Sequence, residues 1–273
     1  MTTGKTLPVA LTIAGSDSGG GAGVQADLKT FAAFGVHGAS AIACLTAQNP
    51  KRVLAVEPCS PKMLRQQIKA VFDELPPRAV KTGMLFSPEN VRVVADIFRT
   101  RTGRTRVPLV VDPVMVSTSG KKLLAPAAKK ILAEKLLPLA TLATPNLDEA
   151  GALLGKKPGS FDEMRSAARE FHRRFGCAVL VKGGHLEDSG AAMDVFFDGQ
   201  TELLLTARLV KGIPTHGTGC TYSAAICAAL ALDCDLPRAV ALGKNFITSA
   251  IAGSYKIGAH FALDQTAVKQ GHH

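Results

Sequence analysis

The chain has 273 residues, 47% of them hydrophobic, and it carries 32 lysines and arginines against 22 aspartates and glutamates. This length and apolar content suit an α/β protein, and we expect residues 1–273 to form a single domain. The basic residues are scattered, and a chain with no tryptophan and two tyrosines lacks a base-stacking platform, so nucleic-acid binding is disfavoured. Residues 271–273 (Gly-His-His) resemble the remnant of an expression tag, and no functional role is expected of them.

The six cysteines restrict the class of protein further. No two of them have the C-x-x-C spacing, and most lie in apolar runs, which argues against a zinc site and against a disulfide framework. The sequence shows no signal-peptide pattern, and its apolar runs are interrupted by polar residues before they reach membrane-spanning length. We therefore expect a cytoplasmic, reduced protein that has no membrane partner.

The apolar pattern predicts strands that alternate with helices. Strands are expected at 7–14, 79–82, 108–112, 139–143, 178–181, 193–197 and 202–206, with a further apolar run at 38–46. Helices are expected at 24–34, 61–74, 88–100, 126–136 and 161–175, and over the last third of the chain. This alternation predicts an α/β fold with a mostly parallel sheet covered on both faces. Glycine and polar residues follow several strands, at the edge where open α/β sheets bind ligands.

The first strand leads into a loop at 15–23 that contains five glycines. Glycine allows a backbone to approach a ligand closely, but a loop of this composition is often only a turn. The chain contains no G-x-x-x-x-G-K-[ST] motif, and the loop does not fit G-x-G-x-x-G in register. P-loop kinases and plain dinucleotide-binding domains are therefore disfavoured.

Acidic and basic residues follow three later strands. Asp112 ends one strand, and Asn146 and Glu149 share one face at the start of a helix. The pair is explained equally well by a capping box and by a Mg²⁺ site that holds nucleotide phosphates. Lys182 follows another strand, where it can meet phosphate oxygens or simply be an exposed lysine before a turn.

The segment His216-Gly217-Thr218-Gly219-Cys220-Thr221 precedes a long apolar stretch and predicts a glycine loop that enters a buried helix. The unpaired N–H groups at a helix start suit a phosphate, and the same position lowers the pKa of a thiol. These properties indicate phosphoryl transfer. The alternative for Cys220 is simple burial, while a Cys–His dyad with His216 or His185 is disfavoured because no oxyanion or specificity signature accompanies it.

Seven motifs in order resemble one family: GSDSGGGAGVQADLKTF, TAQNP, KTGML, VVDPVM, TPNLDEA, VKGGH and HGTGCTYSAA. The resemblance, from about residue 7 to about 253, is to the hydroxymethylpyrimidine/phosphomethylpyrimidine kinases of thiamine biosynthesis, in the ribokinase-like superfamily. It implies a three-layer α/β/α sandwich with a mostly parallel sheet and no separate lid domain. It also implies that ATP with Mg²⁺ phosphorylates 4-amino-5-hydroxymethyl-2-methylpyrimidine and then its monophosphate, giving the pyrophosphate. A homodimer is implied as well.

The resemblance assigns roles to residues that would bind the pyrimidine and to residues that would bind the nucleotide. Asp27 and Gln48 match the positions that hydrogen-bond the pyrimidine, and Gly15, Met84 and Val114 match the lining of that pocket. Gly217, Thr218, Gly219 and Cys220 match an anion hole, in which Cys220 stands where sugar kinases place a general base. Asp112, Asn146 and Glu149 match positions near Mg²⁺ and the phosphates, with Asp112 and Glu149 holding the metal directly or through water. Lys182 matches a nucleotide-side residue.

Three other functions are weighed against this one. A pyridoxal kinase of the same superfamily is the nearest, and Gln48 with the run Lys182–His185 favours the pyrimidine over it. A hydroxyethylthiazole kinase fits the N-terminal motif poorly, and a non-catalytic pyrimidine-binding protein would not need the phosphate and metal residues. The family often ends in a segment rich in glycine and histidine, whereas this chain has KIGAHF at 256–261. No site residue is therefore assigned to the tail.

Overall fold

A computed structural model describes residues 6–100, 107–115, 125–184, 191–208 and 216–266 of the chain. His185 and residues 271–273 lie outside these ranges. The strands are β1 Val9–Gly15, β2 His37–Gln48, β3 Val53–Pro58, β4 Ala79–Thr82, β5 Leu109–Val111, β6 Leu142–Ala143, β7 Ala178–Lys182, β8 Ala191–Phe197, β9 Glu202–Arg208, β10 Tyr255–Ile257 and β11 His260–Ala262. The helices are α1 Gly23–Ala33, α2 Pro61–Glu74, α3 Pro88–Arg99, α4 Pro126–Ile131, α5 Leu147–Leu154, α6 Phe161–Phe175, α7 Thr218–Ala231 and α8 Leu236–Ala252.

Nine of these strands form one sheet in the order β3-β2-β1-β4-β5-β6-β7-β8-β9. The strands from β2 to β7 in this order run parallel. The edge strand β3 and the hairpin β8–β9 run antiparallel to their neighbours. After β1 the chain goes first to β2 on one side and later to β4 on the other, and such a switch point opens a crevice at the carboxyl ends of the strands.

The sheet is covered by helices on both faces, because successive side chains of a strand point to opposite sides. Leu11 and Ile13 of β1 pack into the core shared with helices α2 to α6. Ala10 faces the other way, into the core shared with α1, α7 and α8. The predicted three-layer, mostly parallel architecture is confirmed.

Local signals set several element bounds. Helices α2 and α6 and strand β4 have the predicted limits. Ser60 and Ser160 cap the two helices, since their hydroxyls accept the N–H groups of Met63 and Glu163 at 3.2 Å.

Other bounds differ from the prediction. Strand β3 was not expected, because most of its side chains are exposed and give no alternating pattern; its pairing with β2 forms it. The expected helix at 126–136 is α-helical only to Ile131 and continues as a π turn over Leu132–Leu136. The final segment is not helical throughout, since β10 and β11 form a hairpin. Among the described residues, none of the helices has the length and apolar content needed to cross a membrane.

Candidate active site

A cavity of about 850 Å³ opens at the carboxyl ends of the parallel strands. The glycine-rich loop after β1, the ends of β2, β4, β5 and β7, and the start of α7 form its wall. The structure brings all but one of the predicted site residues to this wall: Gly15, Gln48, Met84, Asp112, Val114, Asn146, Glu149, Lys182, Gly217, Thr218, Gly219 and Cys220.

The start of α7 has the geometry of an anion site. Gly217 precedes the helix with φ of +83°, and within the described part of the chain no side chain caps its first N–H groups. A Cβ at Gly217 would fall 1.9 Å from the carbonyl oxygen of Gly21, so the two glycine loops touch backbone to backbone. The Thr218 hydroxyl is buried, and no partner for it lies among the described residues. Uncapped N–H groups beside an unpartnered hydroxyl fit a phosphoryl group.

Cys220 lies in the first turn of α7 but does not have the lowered pKa that this position predicts. Burial raises the pKa of the thiol to about 11, although the ammonium group of Lys81 opposes the rise. The pKa rises because the loss of water around the sulfur destabilises the thiolate more than the partial positive charge of the helix start stabilises it. The thiol is therefore protonated at neutral pH in this state of the site.

Asp112 follows β5 and Lys182 ends β7, and their side chains form an ion pair. Lys182 Nζ donates to Asp112 Oδ1 at 3.2 Å, and the Asp112 side chain is 3% exposed. The Ser223 hydroxyl of α7 lies 3.2 Å from Asp112 Oδ2, which joins this pair to the anion site. Burial would lower the pKa of Lys182, but Asp112 and then Glu149 raise it above its ordinary value. A charged lysine is thus held at the phosphate side of the cavity.

Asn146 and Glu149 make the capping box of α5. The Glu149 N–H donates to Asn146 Oδ1 at 2.8 Å, and the Asn146 N–H donates to Glu149 Oε2 at 2.9 Å. The capping alternative is therefore present, and both residues still line the cavity. Burial raises the pKa of Glu149 to about 7, with Lys182 opposing and Asp112 adding to the rise.

Among the described residues, no group of three or more His, Cys, Asp and Glu side chains is arranged to hold a metal ion. Asp112 and Glu149 are the two predicted metal residues, and both are buried at the cavity wall. A cation placed between them would need further oxygen ligands from phosphate and water, which is typical of Mg²⁺ in nucleotide sites.

Asp27 departs from the prediction that it binds the pyrimidine. Its side chain is fully buried beneath the cavity, and it is not part of the cavity wall. Lys81 Nζ donates to both of its carboxylate oxygens at 2.8 Å, and the Thr12 hydroxyl donates to Oδ2 at 2.6 Å. In this structure Asp27 is therefore a buried ion-pair partner of Lys81 and is not exposed at the cavity wall.

Several wall residues escaped the sequence reasoning. Asp17 lies in the glycine-rich loop and contacts His216, a contact between residues far apart in the chain. Asp194 accepts the Gly183 N–H at 3.1 Å and the Lys244 ammonium at 2.7 Å, which ties the turn after β7 to α8. For Asp194 and Lys244 the available signal was a charged residue within an otherwise apolar strand or helix, whereas Asp17 in its loop gave no such signal.

A parallel sheet whose crevice combines an uncapped glycine-rich helix start with a buried lysine and carboxylates defines an α/β phosphotransferase. The chain matches the family model of phosphomethylpyrimidine kinase over residues 17–263. The chain belongs to the phosphomethylpyrimidine kinase family, and its fold is ribokinase-like, as the motifs predicted.

Named relatives agree with this assignment. The hydroxymethylpyrimidine/phosphomethylpyrimidine kinase of Rhizobium meliloti is 49% identical over 91% of this chain and 92% of the relative. The kinase of the same name from Bacillus subtilis is 40% identical over 95% and 97%.

Solved structures of two kinds resemble the chain. Phosphomethylpyrimidine kinase from Clostridium difficile is 44% identical, with a TM-score of 0.78 over 89% of this chain and 99% of that one. The ADP complex of Bacillus subtilis pyridoxal kinase is 34% identical, with a TM-score of 0.87 over 97% and 99%.

Proposed function

We propose that this enzyme uses ATP to phosphorylate 4-amino-5-hydroxymethyl-2-methylpyrimidine and then its monophosphate, giving the pyrophosphate for thiamine biosynthesis. The observation that carries the proposal is that a single cavity is lined by Gln48, by the Lys182–Asp112 ion pair and by the start of α7. A pyrimidine on Gln48 and a nucleotide on Lys182 would thus share a single space.

The residues divide the reaction between them. The Gln48 carboxamide can donate to a ring nitrogen and accept from the amino group of the pyrimidine. The backbone N–H groups from Gly217 to Cys220 bind the transferring phosphoryl, and Lys182 neutralises its charge. Catalysis then consists mainly of positioning and charge neutralisation, as in other phosphoryl transfers.

Cys220 is proposed to receive the hydroxyl proton in the first step. Its raised pKa means that the thiol must first lose its own proton, so only a small fraction of the enzyme is competent at neutral pH unless bound ligands change the site. In the second step the attacking oxygen belongs to an ionised phosphate and needs no base.

We propose Mg²⁺ as the accompanying cation, with Asp112 and Glu149 holding it directly or through water and Asn146 beside it. The ion would neutralise the nucleotide phosphates and orient the transferred group. Burial raises the pKa of Glu149 to about 7, and a bound cation would favour its ionised form.

Pyridoxal is the second candidate substrate, and one observation favours it. The pyridoxal kinase from Bacillus subtilis has the higher TM-score, 0.87 against 0.78, and covers more of this chain. Sequence favours the pyrimidine, with 44% identity to the phosphomethylpyrimidine kinase against 34%. The two comparisons differ because backbone shape reports the common fold, whereas side chains select the substrate.

An ADP-release assay with Mg·ATP and three acceptors in parallel tests the proposal. The acceptors are the hydroxymethylpyrimidine, its monophosphate and pyridoxal. Turnover of both pyrimidines, with the pyrophosphate as final product, is expected. Turnover of pyridoxal without the monophosphate would replace the proposal with a vitamin-salvage kinase.

We also propose a cytoplasmic homodimer formed from single-domain chains. The family resemblance is what supports this arrangement. Sedimentation equilibrium at micromolar concentration measures the mass directly, and a monomer would refute it.

A further inference from the structure

The Asp17 carboxylate is buried at the base of the glycine-rich loop and is surrounded by N–H donors. Its Oδ1 accepts the Gly19 N–H at 2.8 Å, and its Oδ2 accepts the N–H groups of Gly21 at 3.2 Å and Ala22 at 2.9 Å. The Asp17 side chain is 3% exposed. His216, which directly precedes the anion site, reaches the same Oδ2 with Nε2 at 3.0 Å.

These contacts determine which nitrogen of His216 carries a proton. Burial alone would raise the pKa of Asp17, but the hydrogen bonds from His216, Gly19 and Ala22 outweigh burial and hold the pKa below its ordinary value. The carboxylate is therefore ionised at neutral pH and can only accept hydrogen bonds. It follows that His216 Nε2 bears a hydrogen and donates it to Asp17.

Gln48 comes close to the same nitrogen without being able to bond to it. Its Nε2 lies 3.4 Å from His216 Nε2, and an amide nitrogen is a donor only. Two donors cannot share a hydrogen bond. The Gln48 backbone is fixed meanwhile, because its N–H donates to the Ser18 hydroxyl at 2.8 Å and its carbonyl lies 2.7 Å from that oxygen.

We propose that His216 is a positioning residue for pyrimidine recognition: it occupies Asp17 and so prevents that carboxylate from capturing the Gln48 carboxamide. Gln48 then meets the pyrimidine with its amide hydrogens available. This inference rests on the proposed function, in which Gln48 binds the pyrimidine.

The consequence of removing the imidazole follows from the same distances. Asp17 Oδ2 then loses its side-chain donor and keeps the N–H groups of Gly21 and Ala22. The Gln48 amide lies beside the vacated position, from which it can donate to the ionised carboxylate. The pyrimidine must then break a charge-assisted hydrogen bond before it can bind. We expect the anion site to keep its backbone geometry, because the close approach of Gly217 to the Gly21 carbonyl oxygen does not involve the imidazole. Pyrimidine binding should therefore weaken while the chemical step continues.

The test compares His216→Leu with His216→Gln, whose amide N–H lies near the position of the imidazole Nε2. At saturating Mg·ATP we expect His216→Leu to raise KM and the calorimetric Kd for the hydroxymethylpyrimidine by about tenfold, a typical loss for one hydrogen bond, with kcat within about threefold of wild type. His216→Gln should restore both constants. His37→Leu, the same substitution at an exposed histidine at the start of β2, is the matched control and should change neither.

A double-mutant cycle separates this role from a general structural one. In a Gln48→Ala background, His216→Leu should have no further effect on Kd, because there is no carboxamide left to capture. Additive losses in the cycle, or a fall in kcat at unchanged KM, would overturn the proposal.

If His216→Leu does not fold, as judged by circular dichroism, the proposal is tested on the wild-type enzyme. Long-range ¹⁵N–¹H spectra, assigned with His216→Gln, should show a proton on Nε2 of His216, and an Nε2 without a proton would overturn the proposal. Failure of wild type to turn over the pyrimidine would refute the proposed function instead, and the Kd values of the variants would still test the role of His216.

Discussion

Replacing Gly217 by alanine tests whether the contact between the two glycine loops holds the anion site in place. The new Cβ would lie 1.9 Å from the Gly21 carbonyl oxygen, and ordinary contact begins at 3.4 Å, so the backbone must move by about 1.5 Å. The residue also has φ of +83°, which costs an L-residue about 1–2 kcal/mol. Steric overpacking adds about 1–3 kcal/mol.

Gly176→Ala is the matched control for the conformational part of this cost. Gly176 ends α6 with φ of +70°, but a Cβ there would meet nothing within 4 Å. It precedes β7, at the end of the sheet opposite the cavity. Both variants therefore force an alanine to adopt a positive φ, and of the two only Gly217→Ala adds a steric clash.

Thermal unfolding and the ADP-release assay measure the two effects. At about 2–4 °C per kcal/mol, Gly217→Ala should lower Tm by about 2–12 °C more than Gly176→Ala does. A displacement of about 1 Å at a reacting group costs about 100-fold in rate, so kcat should fall at least that far in Gly217→Ala and stay unchanged in the control. Equal Tm values for the two variants, together with a retained kcat, would refute the reasoning.

Three further predictions concern buried groups. Cys220→Ala should slow phosphorylation of the alcohol more than phosphorylation of the monophosphate, and equal losses in both steps would exclude the base role. In the wild type, the rate of the first step should rise above pH 8, because burial raises the pKa of the thiol to about 11. Burial raises the pKa of Glu149 from 4.5 to about 7, so between these pH values the folded protein keeps a proton that the unfolded chain loses. The free energy of unfolding should therefore fall by about 3 kcal/mol as the pH rises through this range. Glu149→Gln should abolish that fall in urea unfolding at pH 4.5 and pH 8, whereas an unchanged pH dependence would contradict it. Lys81→Met leaves Asp27 buried without its ammonium partner and should lower the free energy of unfolding in urea by about 3–5 kcal/mol. A second change, Asp27→Leu, should restore part of this loss. If Lys81→Met is as stable as wild type, the ion pair contributes nothing to stability.

Much of the fold could be read from the sequence, because its signals are local. The apolar periodicity predicted the limits of α2, α6 and β4. Strand β3 gave no such signal, because its side chains are largely exposed and its backbone pairs with β2, which lies elsewhere in the pattern. A pattern within one segment cannot report a partner elsewhere in the chain.

The residues at the carboxyl ends of the strands were also identified from the sequence. In a parallel sheet these ends meet at one edge, so glycine and polar residues after successive strands, such as Gly15, Asp112 and Lys182, must share one cavity. The motifs thus determined which residues surround the site and which family the chain belongs to.

The protonation and the hydrogen-bond partners of those residues follow from the folded structure. Asp27 turned out to be bound to Lys81 beneath the cavity, and burial raised the pKa of Cys220 where a helix start alone would lower it. Asp17 follows β1 and His216 precedes α7, and the two side chains meet only when α7 packs against the sheet that contains β1. The sequence determines which chemical groups are present and in what order, whereas hydrogen-bond partners and pKa values depend on distances and solvent exclusion, which exist only once remote segments are brought together.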